Sequence, residues 1–263
     1  MVVQVAQHAD HRPGPGADHP RHWLGASPLF DLEDSKLRLR VHAITQLCTS
    51  ERAKALAVYR FVKKMPLVRR VKLRPMTAPQ VIEARAGDAT AKATLLVAML
   101  RAAGIPARMR WVLLRGEILR GLVPGRMRQA MRPLVEAWLD GRWVRTDTYI
   151  FDAGFMAAAR QRLRDEGSDW GYGIHVNGAM VWDGSADAFV SSYPTDSDPM
   201  VMVDLGAFHD VLEFRASAIY RQRHRPLARM LRWNLLAPWM QLAIRRLRQD
   251  QSHLNPVTGR GSS

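Results

Sequence analysis

The chain has 263 residues, 47% of them hydrophobic, which allows one domain with appendages and a full core. Its single cysteine, Cys48, excludes an internal disulfide framework and any cysteine-based metal site. The net charge of +15 favours contact with anionic surfaces: nucleic acid, acidic lipid headgroups or an acidic partner. Residues 1–26, rich in His, Pro, Gly and Asp, read as a disordered arm. The arm holds two His-x-x-His pairs, His8/His11 and His19/His22, but its prolines argue against a helix that would fix them as metal ligands. No basic start with a long apolar run opens the chain, so no secretory signal is read and the cytoplasm is the default expectation.

From residue 27 the elements follow in order. Leu37, Val41, Ile44 and Leu47 recur at helical spacing, and Ala53, Leu56, Tyr59 and Val62 continue it after a break at Thr49-Ser50. Ser50 is a suitable N-cap, and Pro66 ends the run. Leu67–Leu73 alternates apolar and basic residues, the pattern of a strand or extended segment. A short helix over Pro79–Ala84 comes next. Asp88 then caps a helix with Lys92 four residues on and a buried stripe of Ala93, Leu96, Val97, Leu100 and Ala103. Gly104 suits its left-handed stop, and Pro106 prevents continuation. Cys48, beside Leu47, reads as core.

Ala107–Leu114 reads as a strand, and residues 115–131 as a basic connection. Leu134–Leu139 and Trp143–Asp147 form two strands joined by the hairpin signal Asp140-Gly141. A second hairpin is expected at Asn177-Gly178. Residues 153–166 are helical, and 183–205 are polar and turn-rich. Leu205–Tyr220 and Leu227–Leu247 read as helices, the second kinked or interrupted at Pro238, and the tail from Asp250 as disordered. The division expected is an arm (1–26), a domain (27–205), a basic helical region (206–249) and a tail (250–263).

Three pieces resemble the transglutaminase-like superfamily, in its order. They are the helix start Gly87-Asp88-x-x-x-Lys92-Ala93, the segment Leu100-Arg101-Ala102-Ala103-Gly104-Ile105-Pro106-Ala107-Arg108, and Val135-Glu136-Ala137-Trp138-Leu139-Asp140-Gly141-Arg142-Trp143-Val144-Arg145-Thr146-Asp147. The resemblance spans roughly residues 40–150. It implies an α+β fold: a helix packed on a small antiparallel sheet, here with additional C-terminal helices. It also implies a nucleophile at the helix start, a base on one strand and a carboxylate on the next, the geometry of an activated nucleophile. Asp147 matches the carboxylate. Ala89 stands where the cysteine is expected, and Arg132 stands at the histidine position.

Alanine has no nucleophilic atom, and arginine stays protonated and cannot act as a general base near neutral pH. The expected function is therefore a catalytically degenerate protein, not an enzyme, that binds an anionic ligand or acidic partner through Arg132, Asp147 and Asp88, with no cofactor or metal. A helix N-terminus with an arginine nearby suits a carboxylate or phosphate. A plain Arg132–Asp147 salt bridge is the simpler reading of the same residues. The alternative is an active acyl-transfer or amide-hydrolysing enzyme with a rebuilt site, in which Thr90 and His175 substitute for the lost groups.

No acidic residue occurs between Arg215 and Arg248, where arginines mix with Trp233, Leu235, Leu236, Trp239 and Met240. That composition fits either a helix packed on the core or one lying on an anionic membrane surface. Nucleic acid is the less favoured partner, because no recognised binding motif appears. No segment reaches the roughly 18 to 20 apolar residues of a membrane-spanning helix.

Overall fold

The structure is a computed structural model that describes residues 19–191, 199–223 and 226–254. The pair His8/His11, Pro194, Asp196 and Asp198, and the tail from 255 lie outside the described residues. The fold is α+β. Its centre is a four-stranded antiparallel sheet of order β3-β2-β1-β4, where β1 is Ala107–Arg115, β2 Gln129–Leu139, β3 Arg142–Thr146 and β4 Val201–Phe208.

Helix α4, Ala89–Ala102, lies against β1 and β2 and is enclosed by α1 (Ser35–Thr45), α2 (Glu51–Lys64) and α3 (Ala78–Ala84). It is buried on nearly every face, so its apolar residues do not need to form a narrow stripe. Asp88 caps its start by accepting from the Ala91 amide at 3.0 Å. Gly104, at φ 81°, makes the left-handed stop, and the Ile105 amide donates back to the Leu100 carbonyl at 2.9 Å. The break between α1 and α2 falls where Ser50 accepts from the Ala53 amide. Asp140 and Gly141, both at positive φ, form the tight turn between β2 and β3.

Several expectations are corrected. Strand β2 starts at Gln129, five residues before Leu134, because it pairs along the whole of β1 to Arg115↔Gln129. The second hairpin is not at Asn177-Gly178; two-residue strands Trp170–Gly171 and Ile174–His175 pair around Tyr172-Gly173, both at positive φ. Leu205–Phe208 is the end of β4 and not helix. Its edge pairing with β1, shifted by bulges, outweighs the local sequence preference. Helix α6 (Val211–Ala216) and α7 (Ala218–Arg223) follow, after α5 (Ala153–Asp165). Helix α8 runs unbroken from Pro226 to Leu254 through Pro238, so the tail begins later than Asp250.

The arm also ends earlier than residue 26. Pro20–Leu24 forms a 3-10 turn capped by the His19 ring, and Trp23 is buried against Trp143 and His209. His22 packs on these rings as well. Arg101, on α4, fixes this corner by donating to the carbonyls of Gly25, Ala107 and His209, and its burial lowers its pKa to about 10. Leu47 is exposed and Cys48 half-buried with its thiol on the Ile44 carbonyl, so the end of α1 is not core.

Candidate functional site

A pocket of about 360 Å³ opens at the start of α4, within the size range of small-molecule sites. Asp88, Ala89 and Thr90 form one side, and Arg132 and Pro133 of β2 form another. Trp111 of β1 closes the back, stacked on Phe214 of α6 at 4.3 Å between centroids. The C-terminal helices supply the roof: Val211, Phe214 and Arg215 from α6, Tyr220 from α7, and Trp233, Asn234, Met240 and Ile244 from α8. The three residues expected to stand at nucleophile, base and carboxylate positions do come together. Ala89 and Arg132 share the pocket, and Asp147 reaches it through Arg132.

Arg132 donates to Asp147 at 2.9 Å and to the Gly173 carbonyl at 2.6 Å. Both partners of the ion pair are buried, Asp147 completely. The other oxygen of Asp147 accepts from the Val190 amide at 2.8 Å. The simpler expectation, a plain salt bridge between Arg132 and Asp147, is therefore what the side chains form. These contacts engage two of the five N–H donors of the guanidinium.

The first-turn amides of α4 have no acceptor within the helix, and the helix dipole makes that end electropositive. Asp88 already meets part of this charge. It pairs with Arg69 at 2.7 Å and Lys72 at 2.8 Å, both donated by the extended segment 67–73. Burial would raise the Asp88 pKa, but Lys72, Arg69 and the Ala91 amide override it and hold the carboxyl below its ordinary value. Asp88 is thus a structural anchor rather than a free ligand. Reading 67–73 only as alternating apolar and basic residues missed Arg69 and Lys72, whose roles depend on a partner far along the chain.

Lys92 does not pair with Asp88 across one helical turn as expected. It is fully buried and points to the other side, donating to the carbonyls of Met65 at 2.8 Å and Ile150 at 2.9 Å. Burial lowers its pKa to about 7, against the pull of Asp152. Lys63 of α2 does the same for the carbonyls of Thr148 and Phe151, and burial lowers its pKa to about 8. The loop after Asp147, whose Ile150 and Phe151 line the pocket, is thus pinned by two lysines. Tyr59 adds a hydroxyl contact to Thr148, and Tyr149 donates to the Pro133 carbonyl beside Arg132. Burial raises the pKa of Tyr59 to about 12 and that of Tyr149 well above its ordinary value, so both hydroxyls stay protonated.

The substitutes considered for catalysis are only partly in place. Thr90 lines the pocket, but His175 does not. Its ring accepts from the Asn177 amide and packs on Trp170. No histidine or cysteine among the described residues lines the pocket. Among the described residues, no group of three or more His, Cys, Asp or Glu is arranged to hold a metal ion.

A helix start and a strand position line one pocket over an antiparallel sheet, with a strand-end carboxylate paired behind them. Residues 39–148 match the family model of the transglutaminase-like superfamily, and the chain carries a transglutaminase-like domain. Two solved structures are similar. One is a candidate cysteine protease from Cytophaga hutchinsonii, at 16% identity, covering 78% of this chain and 52% of that one, with a TM-score of 0.46. The other is a candidate protease from Parabacteroides distasonis, at 18% identity, covering 43% and 24%, with a TM-score of 0.33. The chain thus spans about half the length of the first. No curated protein matches the sequence.

Proposed function

We propose that this transglutaminase-like protein has given up cysteine–histidine catalysis and uses the same pocket to bind an anion carried on a largely apolar body. The observation that carries the reading is the composition of the pocket wall. Among the described residues, Arg69, Lys72, Arg132 and Arg215 line the pocket with one carboxylate, Asp88, beside Leu67, Trp111, Ile150, Phe151, Phe214 and Trp233. Apolar walls bury a hydrocarbon or aromatic body, and the guanidinium groups supply charge-assisted hydrogen bonds to a carboxylate, sulfonate or phosphate. A methyl group at residue 89 leaves no nucleophile at the helix start.

The rebuilt-enzyme reading lacks support from the geometry. A threonine nucleophile needs a base in reach, His175 lies outside the pocket, and Asp88 is held below its ordinary pKa by two cations, which makes it a poor base.

The test is binding of anilinonaphthalene sulfonate, followed by fluorescence, with displacement by decanoate and by decanol. Decanoate is expected to displace the probe and decanol to do so poorly. Replacing the ion pair by Arg132→Met with Asp147→Asn keeps two neutral side chains in the space and is expected to weaken decanoate about ten-fold, the value of a charge-assisted hydrogen bond. Equal displacement by acid and alcohol, or unchanged affinity in the double variant, ends the reading. Turnover of an acyl or amide substrate by the wild type, lost on Thr90→Ala, would establish the enzyme instead.

A further inference from the structure

Helix α8 has two faces with different jobs. Its inner face packs on the domain. Ala237, Ile244 and Leu247 are buried, Asn234 exchanges hydrogen bonds with the Lys72 backbone, Gln241 accepts from the Arg69 amide, and Arg248 pairs with Asp152 at 2.5 Å. Its outer face carries Leu231 (58% exposed), Leu235 (75%), Trp239 (60%) and Leu242 (40%). At 100° per residue these four positions fall within about 80° of one another, a single stripe. Packing on the core accounts for the inner face and leaves the stripe unexplained, since a helix that only covers a core turns its polar residues outward.

The residues around the stripe say what covers it. Exposed Arg232 and Arg245 flank it, exposed Arg246 stands at its C-terminal end, and α8 has no acidic residue before Asp250. The extended segment hydrogen-bonded to α8 adds exposed Val71 and Leu73 between exposed Arg70 and Arg74. An apolar stripe containing a tryptophan and rimmed by arginines is complementary to the boundary between headgroups and acyl chains of an anionic lipid surface. No helix among the described residues is long and apolar enough to cross a membrane, so the contact is lateral. We propose that the outer face of α8, from Leu231 to Arg246, docks the protein on an anionic lipid bilayer, lying flat with its stripe at the acyl boundary.

The test is co-sedimentation of the full chain with vesicles of phosphatidylcholine mixed with phosphatidylglycerol, against phosphatidylcholine alone. Binding is expected only to the anionic vesicles, with loss at high salt. Arg245→Glu with Arg246→Glu should weaken it by at least about five-fold per residue, the effect of one basic side chain near such a surface. Leu235→Ser with Trp239→Ser should weaken it on the order of ten-fold or more, from the lost apolar burial. All four side chains are exposed, so the fold is expected to survive, which circular dichroism checks. Absence of binding to anionic vesicles, equal binding to neutral ones, or binding indifferent to both double variants overturns the proposal. So does self-association abolished by Leu235→Ser with Trp239→Ser, which would make a second copy the occupant.

Discussion

Removing the cation from the Arg132–Asp147 pair should cost far more than removing the pair. In Arg132→Met the carboxylate of Asp147 stays fully buried, keeps the Val190 amide and loses its cation, while the Gly173 carbonyl loses its donor. Breaking a buried ion pair by removing one partner costs about 3–5 kcal/mol. Asp147→Asn leaves a buried guanidinium with only the Gly173 carbonyl, a loss of similar kind. In the double variant neither charge remains, the Met and Asn side chains occupy comparable space, and the cost should fall to about 1–2 kcal/mol because a paired replacement is often near neutral. The expected coupling energy is at the upper end of the range for contacting residues, about 3 kcal/mol or more. Urea unfolding of the four proteins, fitted with a common slope, gives it directly. With a total stability of about 5–15 kcal/mol, each single variant should lose a visible share of folded protein at ambient temperature. Additive single costs would refute the arrangement, since two groups that do not touch cannot rescue one another.

Three other outcomes follow from the same geometry. In a Cys48→Ser background, Ala89→Cys should give a thiol that alkylates at neutral pH about ten-fold faster than a free cysteine, because the helix start lowers its pKa; a rate at or below that of a free thiol removes the electropositive site. Asp88→Asn retains a good N-cap but strands Arg69 and Lys72, and should cost about 1–3 kcal/mol, with Asp88→Ala about 1 kcal/mol worse, read as loss of Tm. Lys92 sits near pKa 7 folded and 10.5 unfolded, so between those values the unfolded chain holds the extra proton and stability rises with pH, falling again as pH drops toward 7. Denaturation between pH 7 and 8 should show a gain of up to about 1.4 kcal/mol, most of which Lys92→Met removes while Lys63, lowered to about 8, keeps the remainder, and a flat profile in the wild type would contradict the burial of that amine.

The parts of the fold that were legible in the sequence are those written in local chemistry. Asp88 and Gly104 bound α4 because a cap and a left-handed stop depend on neighbours within a few residues. Asp140-Gly141 marks its turn for the same reason. Strand β4 was missed because its partner is β1, about ninety residues earlier, and its own sequence, with Asp204 and Gly206 at a bulge, carries little strand signal. The hairpin was misplaced because Asn177-Gly178 has the favoured turn composition, while Tyr172 takes positive φ only because tertiary contacts hold it there: its amide donates to the Arg120 carbonyl and its hydroxyl to Glu166.

The site divides along the same line. The family pattern singles out residues 89, 132 and 147 by spacing alone; the first two line one pocket, and the third pairs with Arg132. Arg69, Lys72 and the pocket roof could not be singled out, because each acts only through contacts with distant residues. This division bears on function. The legible residues Ala89 and Arg132 form one end of the pocket; the added ones complete its lining. Lys72 and Arg69 neutralise the cap, α8 closes the roof with Trp233, Met240 and Ile244, and the same helix turns Leu235 and Trp239 outward. A wall that joins pocket to surface in this way couples the two proposals physically. Substitutions on the outer face that leave α8 in place should change lipid binding and spare ligand binding, whereas Ile244→Asp, which places a charge on the buried face, should release the roof and lose both.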